Sequence, residues 1–573
     1  MRRCEHLGRL PQRLKPHSAW PSFPTPKGHG LPHPNTARAT IRPMKVVIAE
    51  KISPAAVDLF RDEGGWTVLT PEEIEGKLAP HLADADALIV RSAVKVDARV
   101  LEPATRLRVI GRAGVGVDNI DLDAATKKGI AVMNTPGANA VAVAEHTMGL
   151  VLAMARHLCR ANALMHTGRW EKRALEGTEL RGKTLGIVGL GRVGLEVAKR
   201  ARGFQMTIVA HDPFVSTSIA RDLEIRMTSL DEIYATADYI TVHVGLTPQT
   251  AGMINAATIR KMKRGVRLVN CARGELVDEA ALAEALKSGH VAAAALDVFQ
   301  HEPPRDSPLI PLENVLMSPH IAGSTHEAQE AVGYQIALQV KEYLKHGVIQ
   351  NAVNIPSVSH EEYVEMHPYI VLAERLGSFL AQATDGNAEE VVVRYSGPIA
   401  EWKTELLRNA ALKGIINHTL SEQANLVNAA TIAGDRGIKV RETKKPRPSG
   451  GGAANVLSVT LKTTAEEHLV RGTVLHERQP RLLGVDDIDV EAPLEHNLVY
   501  MRNLDVPGVI GRIGTILGDH HINIANFSLG RREKPGQVTE AIAVVHVDSR
   551  VLEDVLNELR RVPAVQVAKA MRL

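Results

Sequence analysis

Aromatic side chains are scarce. Phe, Tyr and Trp together make up 3% of the 573 residues, too few for the stacking platforms on which proteins lay out single-stranded nucleic acid. Cysteine is scarcer still. Cys4, Cys159 and Cys271 show neither metal-site spacing nor a disulfide framework, and they suit a reducing compartment. No run of about 18 apolar residues occurs, so no membrane span is expected. A basic stripe is missing as well. The formal net charge is +3, but residues 1–43 carry eight Lys/Arg against one Glu, which leaves residues 44–573 at −4. That balance argues against a nucleic-acid partner. What remains is an ordinary globular composition, 45% hydrophobic and 23% charged, with enough length for three or four domains.

Residues 1–43 are rich in Pro, His and Arg and lack apolar periodicity, so a disordered leader is expected. Two readings stand. The segment is basic and acid-poor, as an organelle transit peptide is. Alternatively, Met44-Lys-Val-Val-Ile-Ala opens the first strand cleanly and marks the true start. The second is preferred, because the segment holds only two serines and no amphipathic helix. The expected location is the cytoplasm, or an organelle on the first reading.

The chain is organised around Thr184-Leu-Gly-Ile-Val-Gly189-Leu-Gly191-Arg-Val-Gly194-Leu-Glu-Val-Ala-Lys199. An apolar strand runs into Gly-x-Gly-x-x-Gly, a helical pattern follows, and a second strand, 206–210, ends at His211-Asp212. This is the order of a dinucleotide-binding unit. Gly189 makes the tight turn, Gly191 lets the backbone approach a pyrophosphate, and Gly194 lets helix and strand pack closely. The phosphates then sit against free N–H groups at the helix N-terminus. Asp212 lies where a carboxylate accepts from the adenine ribose and repels a 2′-phosphate, which favours NAD over NADP.

Strands alternate with helices on both sides of this unit. Before it, strands at 45–49, 87–91, 108–111 and 130–134 leave Arg91, Ser92, Gly114 and Asn139 at carboxyl ends, where ligands bind in parallel sheets. A long apolar helix is expected from Val141 to Leu164, with His146 part of its core or dimer stripe and not a ligand. After the glycine turn, strands at 237–243, 266–270, 292–295 and 315–317 place Arg273, Glu302 and His320 just beyond three strand ends. Alcohol oxidation by hydride transfer also releases a proton, so it needs a base, and histidine suits that task. A carboxylate beside it orients the ring and stabilises imidazolium. An arginine fork holds an α-carboxylate.

These motifs resemble the D-isomer-specific 2-hydroxyacid dehydrogenase family: Asn270-Cys-Ala-Arg273-Gly, Asp297-Val-Phe-x-x-Glu302-Pro-Pro and Ser318-Pro-His320. The resemblance implies Arg273 as the substrate arginine, Glu302 as the acid and His320 as the acid/base. It implies substrate contacts at Arg91, Ser92 and Asn139. The implied cofactor set is Val115, Gly189, Gly191, Arg192, Val193, Gly194, Asp212, Val244, Cys271, Ala272, Arg273, Asp297, His320 and Gly323, with no metal. Cys271 is read as a packed residue and not a nucleophile. The chain departs from the family pattern at Val244-Gly245 and in the order Ala322-Gly323. The wording of Arg91-Ser-Ala-Val-Lys95, Gly111-Arg-Ala-Gly-Val-Gly-Val-Asp-Asn119 and Glu327-Ala-Gln329 resembles the long-form branch that oxidises 3-phospho-D-glycerate. For a phosphorylated substrate the cationic candidates are Arg91, Arg112 and Lys172. The alternatives are a glyoxylate or hydroxypyruvate reductase of the same family, or an NAD-sensing corepressor.

The expected architecture is α/β, with two doubly wound parallel domains. A flavodoxin-like substrate domain (44–142 and 327–356) surrounds an inserted Rossmann domain (143–326). A further α/β regulatory domain spans 357–496, with helices at 368–383, 401–412 and 421–433, strands at 391–395, 456–460 and 469–475, and a loop at 444–452. Residues 497–573 follow β-α-β-β-α-β order, a ferredoxin-like sandwich. This last unit resembles an ACT domain, with Asp505-Val-Pro-Gly508 opening its first helix. Asn503, Asp505 and Asn523 match effector-contact positions, with serine as the implied effector, and a ligand-free dimerisation module is the alternative. A homodimer or homotetramer is expected.

Overall fold

A computed structural model describes residues 43–573 apart from 216–219, 221–222, 420–422, 448–453, 477 and 533–539. The expected leader, 1–43, thus lies outside the described residues except for Pro43.

The first sheet is parallel throughout, in the order Thr67–Leu69, Lys45–Ile48, Ala87–Val90, Val109–Arg112, Ala131–Met133. Its central strands are apolar at successive positions because helices cover both faces. One cover comes from far along the chain. The helix His326–His346 lays Ile336 and Val340 against Gly111, where an added Cβ would lie 2.8 Å from both side chains. The chain then runs back along the edge strand. Asn354 accepts from the Val132 N–H and donates to the Ile130 carbonyl.

The second sheet has seven parallel strands: Val315–Met317, Val291–Leu296, Val266–Asn270, Tyr239–Val242, Thr184–Val188, Thr207–His211 and Arg226–Met227. The chain enters at Thr184–Val188, proceeds to one edge, then crosses to the other side. The strand order therefore switches beside the glycine turn, where open α/β sheets bind ligands. The expected helix 141–164 is two helices, Ala140–Arg156 and Leu158–His166. His157 between them takes a left-handed conformation, φ 51°, which interrupts the i→i−4 ladder.

The third sheet has six strands, in the order Lys439–Lys445, Ala388–Ser396, Val456–Thr463, Glu467–Leu475, Gln479–Val485, Ile488–Pro493. Only its first pair is parallel. Three of these strands were not expected, and Lys444 and Lys445 belong to a strand, not a loop. Residues 448–453 of that expected loop lie outside the described residues. The helix expected from Pro368 instead runs His360–Ala383, opened by a Ser359–Glu362 capping box, with Pro368 inside it. The other expected helices are Glu405–Thr419 and Ala429–Asp435.

The last sheet is antiparallel, in the order Ile524–Arg531, Glu540–Val547, Asn497–Leu504, Val565–Arg572. Helices Val509–Asp519 and Glu553–Arg560 complete the β-α-β-β-α-β unit. Among the described residues, no helix is long and apolar enough to cross a membrane, and no group of three or more His, Cys, Asp or Glu is placed to hold a metal ion.

Candidate active site

The glycine turn is built as the spacing requires. Gly189 sits at φ 93°, left-handed, and a Cβ there would lie 2.6 Å from the His243 carbonyl oxygen. At Gly194 a Cβ would lie 2.1 Å from the Gly189 oxygen, so helix Arg192–Gly203 can approach the strand only without a side chain there. Over Gly191 the space is open, which leaves room for a pyrophosphate at the helix N-terminus. Asp212 closes the turn: its carboxylate accepts from the N–H of Leu190 at 2.9 Å and of Phe214 at 2.8 Å. Arg192 reaches across to the Pro136 carbonyl. Val244 packs against the Gly189 turn.

Arg273 follows the strand Val266–Asn270 on a loop held by Asn270, whose amide donates to the Arg273 carbonyl at 2.8 Å and accepts from the Ala272 N–H at 3.0 Å. The guanidinium pairs with Asp118 at 3.2 Å, so it reaches the Gly-rich loop of the first sheet. The next residue, Gly274, abuts the Phe299–Gln300 backbone. That contact sets the arginine loop beside the segment carrying Glu302. One Glu302 oxygen accepts from the Phe299 N–H at 3.2 Å, and the other lies 2.8 Å from His320 Nδ1. His320 itself is left-handed, φ 53°, and its ring is half exposed. Arg273, Glu302 and His320 thus come from three successive strand ends.

Asp297, expected on the nicotinamide side, has no exposed surface. Its oxygens are taken up by Ser318 Oγ at 2.6 Å and by the N–H groups of Ile321 and Ala322 at 2.9 and 2.8 Å. Burial alone would raise this carboxyl. Hydrogen bonds from His146, Ser318 and those two N–H groups outweigh it and hold Asp297 below the ordinary carboxylate range. Cys271 goes the other way: burial pushes its thiol up to about 12, so it is not a nucleophile.

On the facing side, Arg91 donates to the Lys51 carbonyl at 3.2 Å and to the Gln329 side chain. Ser92 is exposed. Asn139 packs on Gly323, where a Cβ would lie 2.8 Å from its amide nitrogen. Val115 is 37% exposed at the same loop as Asp118. Arg112 lies among these groups. Burial, then the charge of Arg273, lowers its guanidinium, and its Nε has no partner. Lys172 stands apart on a short 3₁₀ turn with its side chain in solvent.

Several residues outside the expected site set prove central to the geometry, among them His146, expected in a core or dimer stripe. Glu50 accepts from the N–H groups of Arg91, Ala93 and Val94, and Asn119 donates to the carbonyls of Arg91 and Val94, so the two clamp that loop. Gln329 joins Arg91 to the Gly323 carbonyl. His146 bonds Ser318. Only Gln329 and Asn119 carried a signal, through the motifs that contain them.

In the C-terminal unit, a cavity of about 310 Å³ is lined by Asn503, Asp505, Val509, Phe527 and Arg531 among others. Asn503 is 3% exposed, and its Oδ1 has no partner. Asp505 pairs with Arg531 at 3.4 Å. Asn523, expected with them, is not among the residues lining this cavity: it immediately precedes strand Ile524–Arg531 and donates to Asp548 at 2.6 Å.

Comparison with known proteins agrees with these features. Family models match in chain order: the D-isomer specific 2-hydroxyacid dehydrogenase NAD binding domain over residues 148–322, the D-3-phosphoglycerate dehydrogenase intervening domain over 365–486, and the ACT domain over 498–564. The D-3-phosphoglycerate dehydrogenase of Methanocaldococcus jannaschii is 41% identical over 534 residues, which is 92% of this chain and all of that one. The chain belongs to the D-3-phosphoglycerate dehydrogenase family. Its Bacillus subtilis member is 41% identical over 85% of this chain and 92% of its own length. Among solved structures, the NAD-dependent formate dehydrogenase of Staphylococcus aureus in complex with NAD is 29% identical, covering 55% of this chain and all of that one, with a TM-score of 0.49. The three family models fall on the second, third and fourth sheet-bearing regions in turn.

Proposed function

We infer that this chain catalyses the NAD-dependent oxidation of 3-phospho-D-glycerate to 3-phosphooxypyruvate, the first step of L-serine synthesis. The observation that carries this reading is the 2.8 Å contact between His320 Nδ1 and Glu302. A neutral His320 donates from Nδ1 to the carboxylate, which leaves Nε2 with a lone pair to take the substrate's hydroxyl proton. Glu302 then faces the imidazolium that forms. Arg273 holds the substrate's carboxylate, and Arg91, Ser92, Asn139 and Arg112 hold the rest, including the phosphate. NAD held at the glycine turn would supply the hydride acceptor for oxidation at C2. The open space over Gly191 and the free helix N-terminus fit its pyrophosphate, and Asp212 fits its ribose.

In this reading residues 44–142 with 327–356 form the substrate unit, 143–326 the cofactor unit, 357–496 a regulatory unit and 497–573 an amino-acid-sensing unit. Serine is the proposed effector, supported by the unpartnered Asn503 oxygen beside the Asp505–Arg531 pair. A homodimer or homotetramer is proposed, supported by the exposed apolar Leu158, Met165 and Trp170. The free thiols of Cys159 and Cys271 suit the cytoplasm. The test is NADH formation by the purified chain with 3-phospho-D-glycerate, D-glycerate or D-lactate, with and without serine. Turnover confined to the phosphorylated acid supports the proposal. Preference for an unphosphorylated acid moves the chain to the reductase branch.

A further inference from the structure

The helix Ala140–Arg156 leads from the last strand of the first sheet into the second. Two of its residues face the turn that carries His320. Asn139, at the helix start, packs on Gly323. His146, seven residues and two helical turns later, stands on the same face with Nε2 3.0 Å from Ser318 Oγ. The turn's His320 is therefore gripped on either side, at Ser318 and at Gly323.

The protons along this chain can be placed. Ser318 has one hydroxyl proton, and the 2.6 Å approach to buried Asp297 claims it. Its oxygen then accepts from His146, which carries a proton on Nε2 and also lies 3.5 Å from the Asp297 carboxylate, so His146 reaches the buried acid both through Ser318 and directly. Asp297 also takes the Ile321 and Ala322 N–H groups, while its own carbonyl accepts from the His320 N–H at 2.8 Å. His146, Ser318 and Asp297 form one relay wrapped around a histidine held at a left-handed φ of 53°, a conformation that a non-glycine residue keeps only when its surroundings impose it.

We propose that His146 is a positioning residue for the dehydrogenase reaction: through Ser318 it fixes the turn that presents His320, and together with Asn139 it ties that turn to the helix joining the two parallel sheets. It touches neither the substrate nor the reacting atoms. Its requirement is a donor at the Nε2 position, so glutamine can replace it and leucine cannot. The inference rests on the dehydrogenase reading above.

The test uses the full chain as His146→Leu, His146→Gln, Ser318→Ala and the His146→Leu/Ser318→Ala double variant. The readouts are kcat and both KM values for 3-phospho-D-glycerate oxidation, together with NADH binding by fluorescence. Loss of one hydrogen bond in a charged network corresponds to about 10- to 100-fold in kcat. His146→Leu and Ser318→Ala should each lose that much, with KM values and NADH affinity within about twofold of wild type. His146→Gln should stay within about threefold, and the double variant should fall well short of the product of the two single losses, because His146, Ser318 and Asp297 are in mutual contact and act as one unit. The role is overturned by a leucine variant as fast as wild type, a glutamine variant as slow as leucine, additive losses, or a kcat loss matched by weakened NADH binding. Should His146→Leu fail to fold, Ser318→Ala decides on the same criteria. A wild-type chain that makes no NADH sinks the dehydrogenase reading and this role with it, whereas an active wild type with unaffected variants sinks only the role.

Discussion

Replacing Gly274 by alanine perturbs the contact that sets Arg273 beside Glu302. The glycine is not in a left-handed conformation, so alanine is barred by space and not by backbone preference. An added Cβ would lie 1.9 Å from the Phe299 carbonyl carbon, 2.0 Å from its oxygen and 2.5 Å from the Gln300 nitrogen. All three are backbone atoms and cannot rotate away. Carbon atoms in contact settle at about 3.5–4.0 Å, so the loops must separate by roughly 1.5 Å. Such overpacking costs about 1–3 kcal/mol of stability, more than the ~0.4–1 kcal/mol that Gly→Ala gains by restricting the unfolded chain. A misplacement of about 1 Å in a catalytic constellation costs on the order of 10²-fold. Gly274→Ala should therefore lower kcat/KM by about 100-fold while NADH, whose pyrophosphate is assigned to the separate Gly189–Gly194 turn, binds within about threefold of wild type. Steady-state kinetics and fluorescence titration read the two. Activity within threefold of wild type would refute the claim that this contact sets the site.

Asp212→Ala removes the carboxylate at the glycine turn, and the ratio of kcat/KM for NAD over NADP should fall by at least tenfold; an unchanged ratio means another residue reads the ribose. Asp297→Asn leaves at least one buried N–H without its acceptor, at about 1–3 kcal/mol. Because the folded carboxyl is lowered, its stabilisation is complete above the ordinary value near pH 4 and is lost as pH falls through the folded value. The melting-temperature gap to wild type should be wide at pH 7 and shrink in acid, and a gap independent of pH contradicts the assignment. With Cys271 pushed up to about 12 and buried, maleimide at pH 7.5 should label exposed Cys159 and spare Cys271, as read by peptide mass spectrometry; equal labelling means that the site is open.

Much of the fold was legible because parallel strands buried on both faces read as short apolar runs. Val266–Asn270 and Val315–Met317 start and stop where the sequence indicated. Their carboxyl ends then located Arg273, Glu302 and His320 by a general property of such sheets. Proline misled at 368. It was read as a helix start, where it is favoured, yet two turns precede it, and the Ser359-x-x-Glu362 capping box was the better signal. Among the missed strands, Lys, Arg, Pro and Gly dilute the alternation at 439–445 and 479–485, whereas Ile488–Pro493 alternates cleanly but over only six residues, with two acids and a proline among them. His146 was set aside because its partner Ser318 lies 172 positions away, and periodicity reports only local neighbours. The resemblance places Asp297 on the cofactor side, and only the structure adds its partners, Ser318, Ile321 and Ala322, which lie more than 20 positions along the chain.

The central claim is that His320, oriented by Glu302, moves the hydroxyl proton at a site whose cofactor grip is built elsewhere. His320→Ala tests it directly, with turnover on 3-phospho-D-glycerate and NADH affinity measured on the same preparation. The account predicts a loss of about 10²–10⁴ in kcat with NADH affinity within about twofold of wild type. Turnover within tenfold of wild type, or a loss explained by failed NADH binding, would contradict it.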